Sequence, residues 1–211
     1  MKSKDVSGFE VVIRDFSRWY GDDEIIITGA VAILLGNYVN HVRSTNDIDF
    51  LLGQNNHVEV ITKGRRIGNN NFIEEGTQHD YQHVGTELWV DIVAPSIDTD
   101  HHMMNVDLMM NVIENPKKYS WKYKNVYVLN IECVLISKLR PLAFDRLNSA
   151  EKIYDYKRDV SGMIDVMLNE NILEKFYNLE YDRNGRRLIW EDDMNVFKQL
   201  YAEVIKYRKK E

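Results

Sequence analysis

The chain has 211 residues, 44% of them hydrophobic, with only three prolines and a formal charge of -6 at neutral pH. That composition can bury the core of one domain, or of a domain with an appendage, and it excludes a polycation built to coat nucleic acid. The single cysteine, Cys133, excludes an internal disulfide and a multi-cysteine zinc site, in keeping with a reducing compartment. No apolar stretch approaches the roughly 20 residues of a membrane span, and the opening MKSKDVSGFEVV lacks the apolar segment of a signal peptide. A cytoplasmic protein with no membrane partner is expected.

In chain order, Phe9, Val12, Ile13, Phe16 and Trp19 recur at helical spacing, which predicts an amphipathic helix over 9–20. EIIITG follows, three β-branched isoleucines that favour a strand, closed by Gly29. Residues 30–35 then form a short helix ended by Gly36. Residues 47–52 are the next strand, with further strands at 71–75, 81–84, 87–93 and 126–129 in one mixed sheet. Tyr119, Trp121, Tyr123 and Tyr127 alternate as in an aromatic-rich strand, and core or edge packing explains them better than base stacking. Asn130 is placed to cap a helix carrying Val134, Leu135, Lys138 and Leu139, kinked or stopped by Pro141. Asn148 and Glu151 have capping-box spacing for a helix through Ile153, Tyr156, Val160, Met163, Ile164 and Met167, weakened at Gly162. After the DRNG turn, Phe197, Leu200, Tyr201, Val204 and Ile205 make the fullest apolar stripe. The fold class is therefore α/β (α+β): a mixed twisted sheet over 1–130, followed by a helical region over 131–211 that closes a cleft.

The strand at 47–52 carries two acids among apolar residues. Asp47 and Asp49, two apart, project from one face with Cα atoms roughly 6.6 Å apart. Such a pair repels unless a proton or cation lies between its members, and hard carboxylate oxygens suit Mg²⁺ or Mn²⁺. ELWVDIVAP repeats the pattern, with Asp91 embedded among apolar residues, where a shared ion would offset its burial. Three such acids can hold two ions for in-line attack at phosphorus. Upstream, Gly29 lets backbone approach a phosphate, and the helix after it, beginning at Ala30, offers free N–H groups to an anion.

The segment TGAVAILLGNYVNHVRSTNDIDFLL, residues 28–52, resembles the core motif of the nucleotidyltransferase superfamily of the DNA polymerase β type, a glycine turn and short helix followed by a strand bearing Asp-x-Asp. The resemblance implies that Asp47, Asp49 and Asp91 bind metal and that an NTP is the substrate. More narrowly, NIECVLISKLRPLAFDR and YDYKRDVSGMIDVML resemble the AbiEii-like group, the nucleotidyltransferases of type IV toxin systems. On that likeness Lys138 contacts a nucleotide phosphate, Asp159 supports the site, Asp165 is structural, and an antitoxin is a possible partner. The likeness covers about residues 25–170. The chain departs from the superfamily at Ala30, where a serine or glycine is usual, so a phosphate-binding hydroxyl is missing. Backbone N–H groups can take its place.

Each assignment has a plain structural alternative. Lys138 also reads as a helix-surface lysine, Arg43 as pairing with an acid rather than steering triphosphate, and Thr45 as bonding to backbone to fix the turn. Asp98–His102 reads as a polar connection, and Cys133 as a small core residue. The function expected is Mg²⁺-dependent transfer of a nucleoside monophosphate to a hydroxyl acceptor, whether an RNA 3′ end such as that of tRNA, a protein or a small molecule. The alternative is a nucleotide- or partner-binding module on the same fold that does not turn over.

Overall fold

A computed structural model describes residues 6–20, 25–40, 45–52, 71–74, 80–93, 105–179, 181–182 and 184–209. Arg43, the basic residues Lys63, Arg65 and Arg66, and Asp98–His102 lie outside the described residues. The chain divides into two compact units. The first comprises Met1–Gly36, Arg43–Thr99 and Val112–Asn130, and the second Asn37–Val42, Asp100–Asn111 and Ile131–Glu211. The helical unit therefore also draws on two segments that precede residue 131.

The first unit is built on a seven-stranded sheet, giving an α/β fold. Its strands are β1 (Ile25–Thr28), β2 (Asp47–Leu52), β3 (Phe72–Glu74), β4 (Asp80–His83), β5 (Trp89–Val93), β6 (Ser120–Tyr123) and β7 (Val126–Leu129), in the spatial order β3-β4-β5-β2-β1-β7-β6. β1 pairs parallel with β7, and β2 parallel with β5; the other neighbours are antiparallel. β1 is buried along its whole length, which is why it reads as an unbroken apolar run rather than an alternation. Helix α1 (Ser7–Tyr20) lays Phe16 against Phe50 of β2, ring centroids 4.4 Å apart and stacked, and edge-on against Phe72 of β3. Helix α2 (Gly29–Gly36) is apolar all round, and Ala30 to Leu34 are buried, as such a helix requires.

Two elements absent from the sequence reading appear before residue 120. Helix α3 (Val106–Glu114) spans the division between the units, and the single turn α4 (Pro116–Tyr119) starts at a proline, whose missing N–H costs nothing there. The aromatic alternation is sheet only in part: Trp121 and Tyr123 lie on the edge strand β6, edge to face at 5.9 Å, and Tyr127 is buried in β7, whereas Tyr119, also buried, ends the helical turn α4.

The second unit packs α5 (Ile131–Ala143), α6 (Ala150–Asn169), α7 (Glu174–Tyr177) and α8 (Glu191–Arg208). Pro141 lies in the last turn of α5, where the bond it forgoes, to the Ser137 carbonyl, is followed by only two more helical residues. The cap of α6 is Ser149, not Asn148: its hydroxyl accepts the Lys152 N–H at 3.1 Å. Gly162 has a packing reason, since a Cβ there would lie 2.9 Å from Val39 Cγ1. Cys133 is buried in α5. At the start of α8, Asp193 accepts the Trp190 N–H at 2.9 Å and takes the fork of Arg140 at 2.9 Å on each oxygen. Both side chains of that pair are fully buried, and the Arg140 guanidinium lies 4.0 Å over the Trp190 ring. No helix among the described residues is long and apolar enough to cross a membrane.

Candidate active site

Pleating fixes which side chains share a face. In β2, Ile48, Phe50 and Leu52 are fully buried, while Asp47 and Asp49 between them are half-buried. The packing of Phe50 on α1 puts that helix on the face opposite the acids. β5 repeats the alternation, with Val90 and Ile92 buried and Asp91 half-buried. Register then joins the strands: Asp49 stands opposite Asp91, and Asp47 opposite Trp89. Adjacent strands lie about 4.8 Å apart, so the carboxylates of Asp47, Asp49 and Asp91 share one small area of one sheet face. The same row continues to Thr28 of β1, the partner of Asp49. Thr28 had no signal in the sequence, because strand register across long connections is not a local property.

The sharpest feature is the seat of Asp49. Gly29 opens α2 in the left-handed region, at φ 62°. A Cβ built there would lie 2.7 Å from Asp49 Cγ and 3.3 Å from its Cβ, and would overlap Oδ2 outright. The carboxylate therefore occupies the space that any side chain at position 29 would need. Glycine is required twice here, for the backbone angle and for the room. The first turn of a helix presents unpaired N–H groups and positive partial charge, and Asp49 is held beside it. Ala30, just beyond, is buried and contributes no hydroxyl.

Thr45 differs from its expected role. Its hydroxyl donates to Asp47 Oδ1, fixing the acid rather than bonding to backbone. Asp47 thus leans toward Thr45 and Asp49 toward Gly29. Among the described residues no three His, Cys, Asp or Glu side chains are gathered into a metal cage. The donor set is nonetheless the hard-oxygen set that a divalent cation takes when substrate phosphates and water complete its shell.

Lys138 and Asp159 belong to the helical unit and are brought together there, Nζ to Oδ2 at 3.9 Å, both nearly fully buried. Lys138 is thus not a helix-surface lysine. Its ammonium also lies 4.1 Å from the centroid of the Tyr156 ring, a cation–π contact that helps hold the charge out of water. Asp165 is structural in the same unit, accepting from Arg208 Nε at 2.7 Å and from Asn40 at 3.3 Å.

No family model matches the chain, and no curated protein matches it. Among solved structures, the chain is similar to a proposed nucleotidyltransferase from Helicobacter pylori at 12% identity and a TM-score of 0.36, over 97% of this chain and 98% of that one. It is also similar to JHP933 from Helicobacter pylori at 13% identity and a TM-score of 0.40, over 95% and 94%. Likenesses at this level decide neither activity nor substrate, and the functional reading rests on the residues of the sheet.

Proposed function

We propose that the chain is a nucleotidyltransferase that moves a nucleoside monophosphate from an NTP to a hydroxyl acceptor and releases pyrophosphate. The observation that carries this reading is the seat of Asp49 against the left-handed Gly29 at the mouth of α2, in register with Asp91 and on the same face as Asp47. That arrangement sets the Asp49 carboxylate beside a helix N-terminus, with Asp47 and Asp91 on the same sheet face, so that cation and phosphate sites would adjoin.

Asp47, Asp49 and Asp91 would hold Mg²⁺ or Mn²⁺, which when bound supplies neutralisation of the triphosphate charge. The N–H groups at the start of α2 would take phosphate oxygens, with backbone replacing the hydroxyl that Ala30 lacks. The acceptor oxygen attacks the α-phosphorus, the bond to the bridging oxygen breaks, pyrophosphate leaves, and the acceptor proton passes to Asp91. Thr45 positions Asp47 through its hydroxyl. Such a site works by placement and charge rather than by a covalent intermediate. The AbiEii-like resemblance suggests Lys138 as a phosphate contact. Lys138→Met reads that role: weaker NTP binding supports it, and unchanged binding removes it.

The acceptor is a hydroxyl of RNA, protein or a small molecule, and an antitoxin is the partner that the AbiEii-like resemblance suggests. The test is titration of the chain with Mg²⁺ or Mn²⁺ and each NTP, following heat and pyrophosphate, beside Asp47→Asn with Asp49→Asn. Metal-dependent binding and release, both lost in the double variant, would establish the enzyme. Binding without release would favour a module that holds nucleotide but does not turn over, for which Ala30 is the motive. No metal-dependent binding at all would remove both readings.

A further inference from the structure

The unit that carries the sheet has a cavity of about 620 Å³ between α1 and the turn joining β6 to β7. Because α1 covers the Phe50 face of the sheet, this cavity is unrelated to the acids on the opposite face. Its volume is in the range that takes a small organic ligand, about 300 to 1,000 Å³.

Four of its lining residues, Glu10, Arg14, Ser17 and Arg18, fall at helical spacing on one side of α1 and form a single polar stripe. Tyr123 and Lys124 face them from the turn. Glu10 is the one carboxylate among these lining residues, and it is already engaged: Lys124 Nζ stands 2.8 Å away and the Tyr123 hydroxyl donates to it at 2.6 Å. The hydrogen bond from Lys124, and then that from Tyr123, hold Glu10 below the usual carboxylate range. Burial, followed by the neighbouring carboxylate, pushes Tyr123 up to about 12, so its ring stays neutral and does not repel an anion.

Arg14 and Arg18 lie one helical turn apart. Arg14 meets the Asp15 carboxylate at 2.9 Å, while Arg18 stands 3.8 Å from the same group and is 74% exposed. Asp15, which also meets His83 at 3.3 Å and Asn71 at 3.4 Å, stands between the two guanidiniums; their remaining edges have the planar donor geometry that suits phosphate. Between them, Ser17 is 7% exposed and lines the cavity, yet its buried hydroxyl has no hydrogen-bond partner among the described residues. A buried hydroxyl left so is costly, but it is closed to any water-sized atom in the cavity and marks no ligand contact there. Val11 and Val126 supply an apolar wall beside the Tyr123 ring.

We propose that this cavity binds a small organic phosphate with an aromatic body, its phosphate on the guanidinium edges of Arg14 and Arg18 that Asp15 leaves open and its body against Val11, Val126 and the Tyr123 ring, with no requirement for a divalent cation. The site is separate from the nucleotidyltransferase reading and survives its failure.

The test is calorimetric titration of the full chain, without divalent metal, with AMP, GMP, CMP, UMP, phenyl phosphate and inorganic phosphate. At least one of the aromatic phosphates is expected to bind saturably and more tightly than inorganic phosphate. Arg14→Gln with Arg18→Gln should weaken it at least tenfold, and Asp47→Asn with Asp49→Asn should change it less than twofold. Both arginines are more than half exposed, so the double variant should keep its thermal midpoint. Absence of saturable binding by all five aromatic phosphates would overturn the proposal. So would binding indifferent to the arginine pair, or binding lost with the acids.

Discussion

Replacing Gly29 by alanine tests the site with a single methyl group. The new Cβ would lie 2.7 Å from Asp49 Cγ. Ordinary carbon contacts begin near about 3.5 Å, so the carboxyl carbon must retreat by roughly 1 Å. The obstacle is the end of a side chain with its own rotamers, so the fold can yield there cheaply. The backbone cannot: alanine at φ 62° costs roughly 1–2 kcal/mol. Urea unfolding should therefore show a loss of about that size with an unchanged slope. Activity should fall much further, because a misplacement of ~1 Å in a site that works by position costs on the order of 100-fold, or about 2.7 kcal/mol of barrier. The assay is NTP-dependent pyrophosphate release at saturating Mg²⁺, run beside the unfolding curve. A variant that loses stability as expected yet keeps its rate within a few-fold would refute the claim that the place of Asp49 matters for chemistry. One that loses neither would refute the packing of Asp49 on Gly29 itself.

Three further outcomes follow from the helical unit and are read by unfolding. Arg140→Leu leaves Asp193 buried without its guanidinium fork and should cost roughly 3–5 kcal/mol, whereas Arg140→Met with Asp193→Leu should cost clearly less, since neither charge then remains. Urea midpoints check it, and equal losses in the two variants would contradict it. Burial raises Asp182, but the Arg186 and Asn184 N–H groups and the Arg186 and Asn111 side chains more than offset that, bringing it down to about 2 from an ordinary 3.8. Its folded value is depressed, so its contribution is complete above about pH 4 and disappears as pH falls toward 2; the acid limb of stability should flatten in Asp182→Asn. Gly162→Ala would gain about 1 kcal/mol from helix propensity in open space, but the stiff Val39 side chain stands 2.9 Å from the added Cβ. The thermal midpoint should fall rather than rise, and a rise would mean that Val39 yields freely.

Elements whose signal is local were legible. The isoleucine run of β1, the alternation of acid and apolar residue in β2 and β5, and the stripe Phe197, Leu200, Val204 each encode element and buried face in a few adjacent residues. Short or competing signals were not. Val106–Glu114 is nine residues long, too short for period alone to separate helix from loop, and Asn148 and Ser149 are adjacent residues that can each cap. For the site, sequence supplied Asp47, Asp49, Asp91 and the glycine turn but not their relations. The carboxylate seated over Gly29 joins residues twenty positions apart, and the Asp49–Asp91 pairing depends on a strand order that brings β5 beside β2.

Register is also what protects those relations. Side chains in a strand alternate, so sliding β2 by one residue would carry Asp47 and Asp49 to the face now held by Ile48, Phe50 and Leu52, all fully buried. Leu51, on the acids' own face, is also fully buried, so a slip would expose chiefly Ile48 and Phe50, and at roughly 1.5–3 kcal/mol for each it forfeits on the order of 3–6 kcal/mol before any charge is buried. Two desolvated carboxylates in the core would add several more. A slip is therefore excluded by the core and not by the acids, whose mutual repulsion opposes the native arrangement. Asn at 47 and 49 should accordingly leave the fold intact or slightly more stable while removing the charge that the proposed chemistry needs. That divergence between stability and activity is what separates a site from a structural pair.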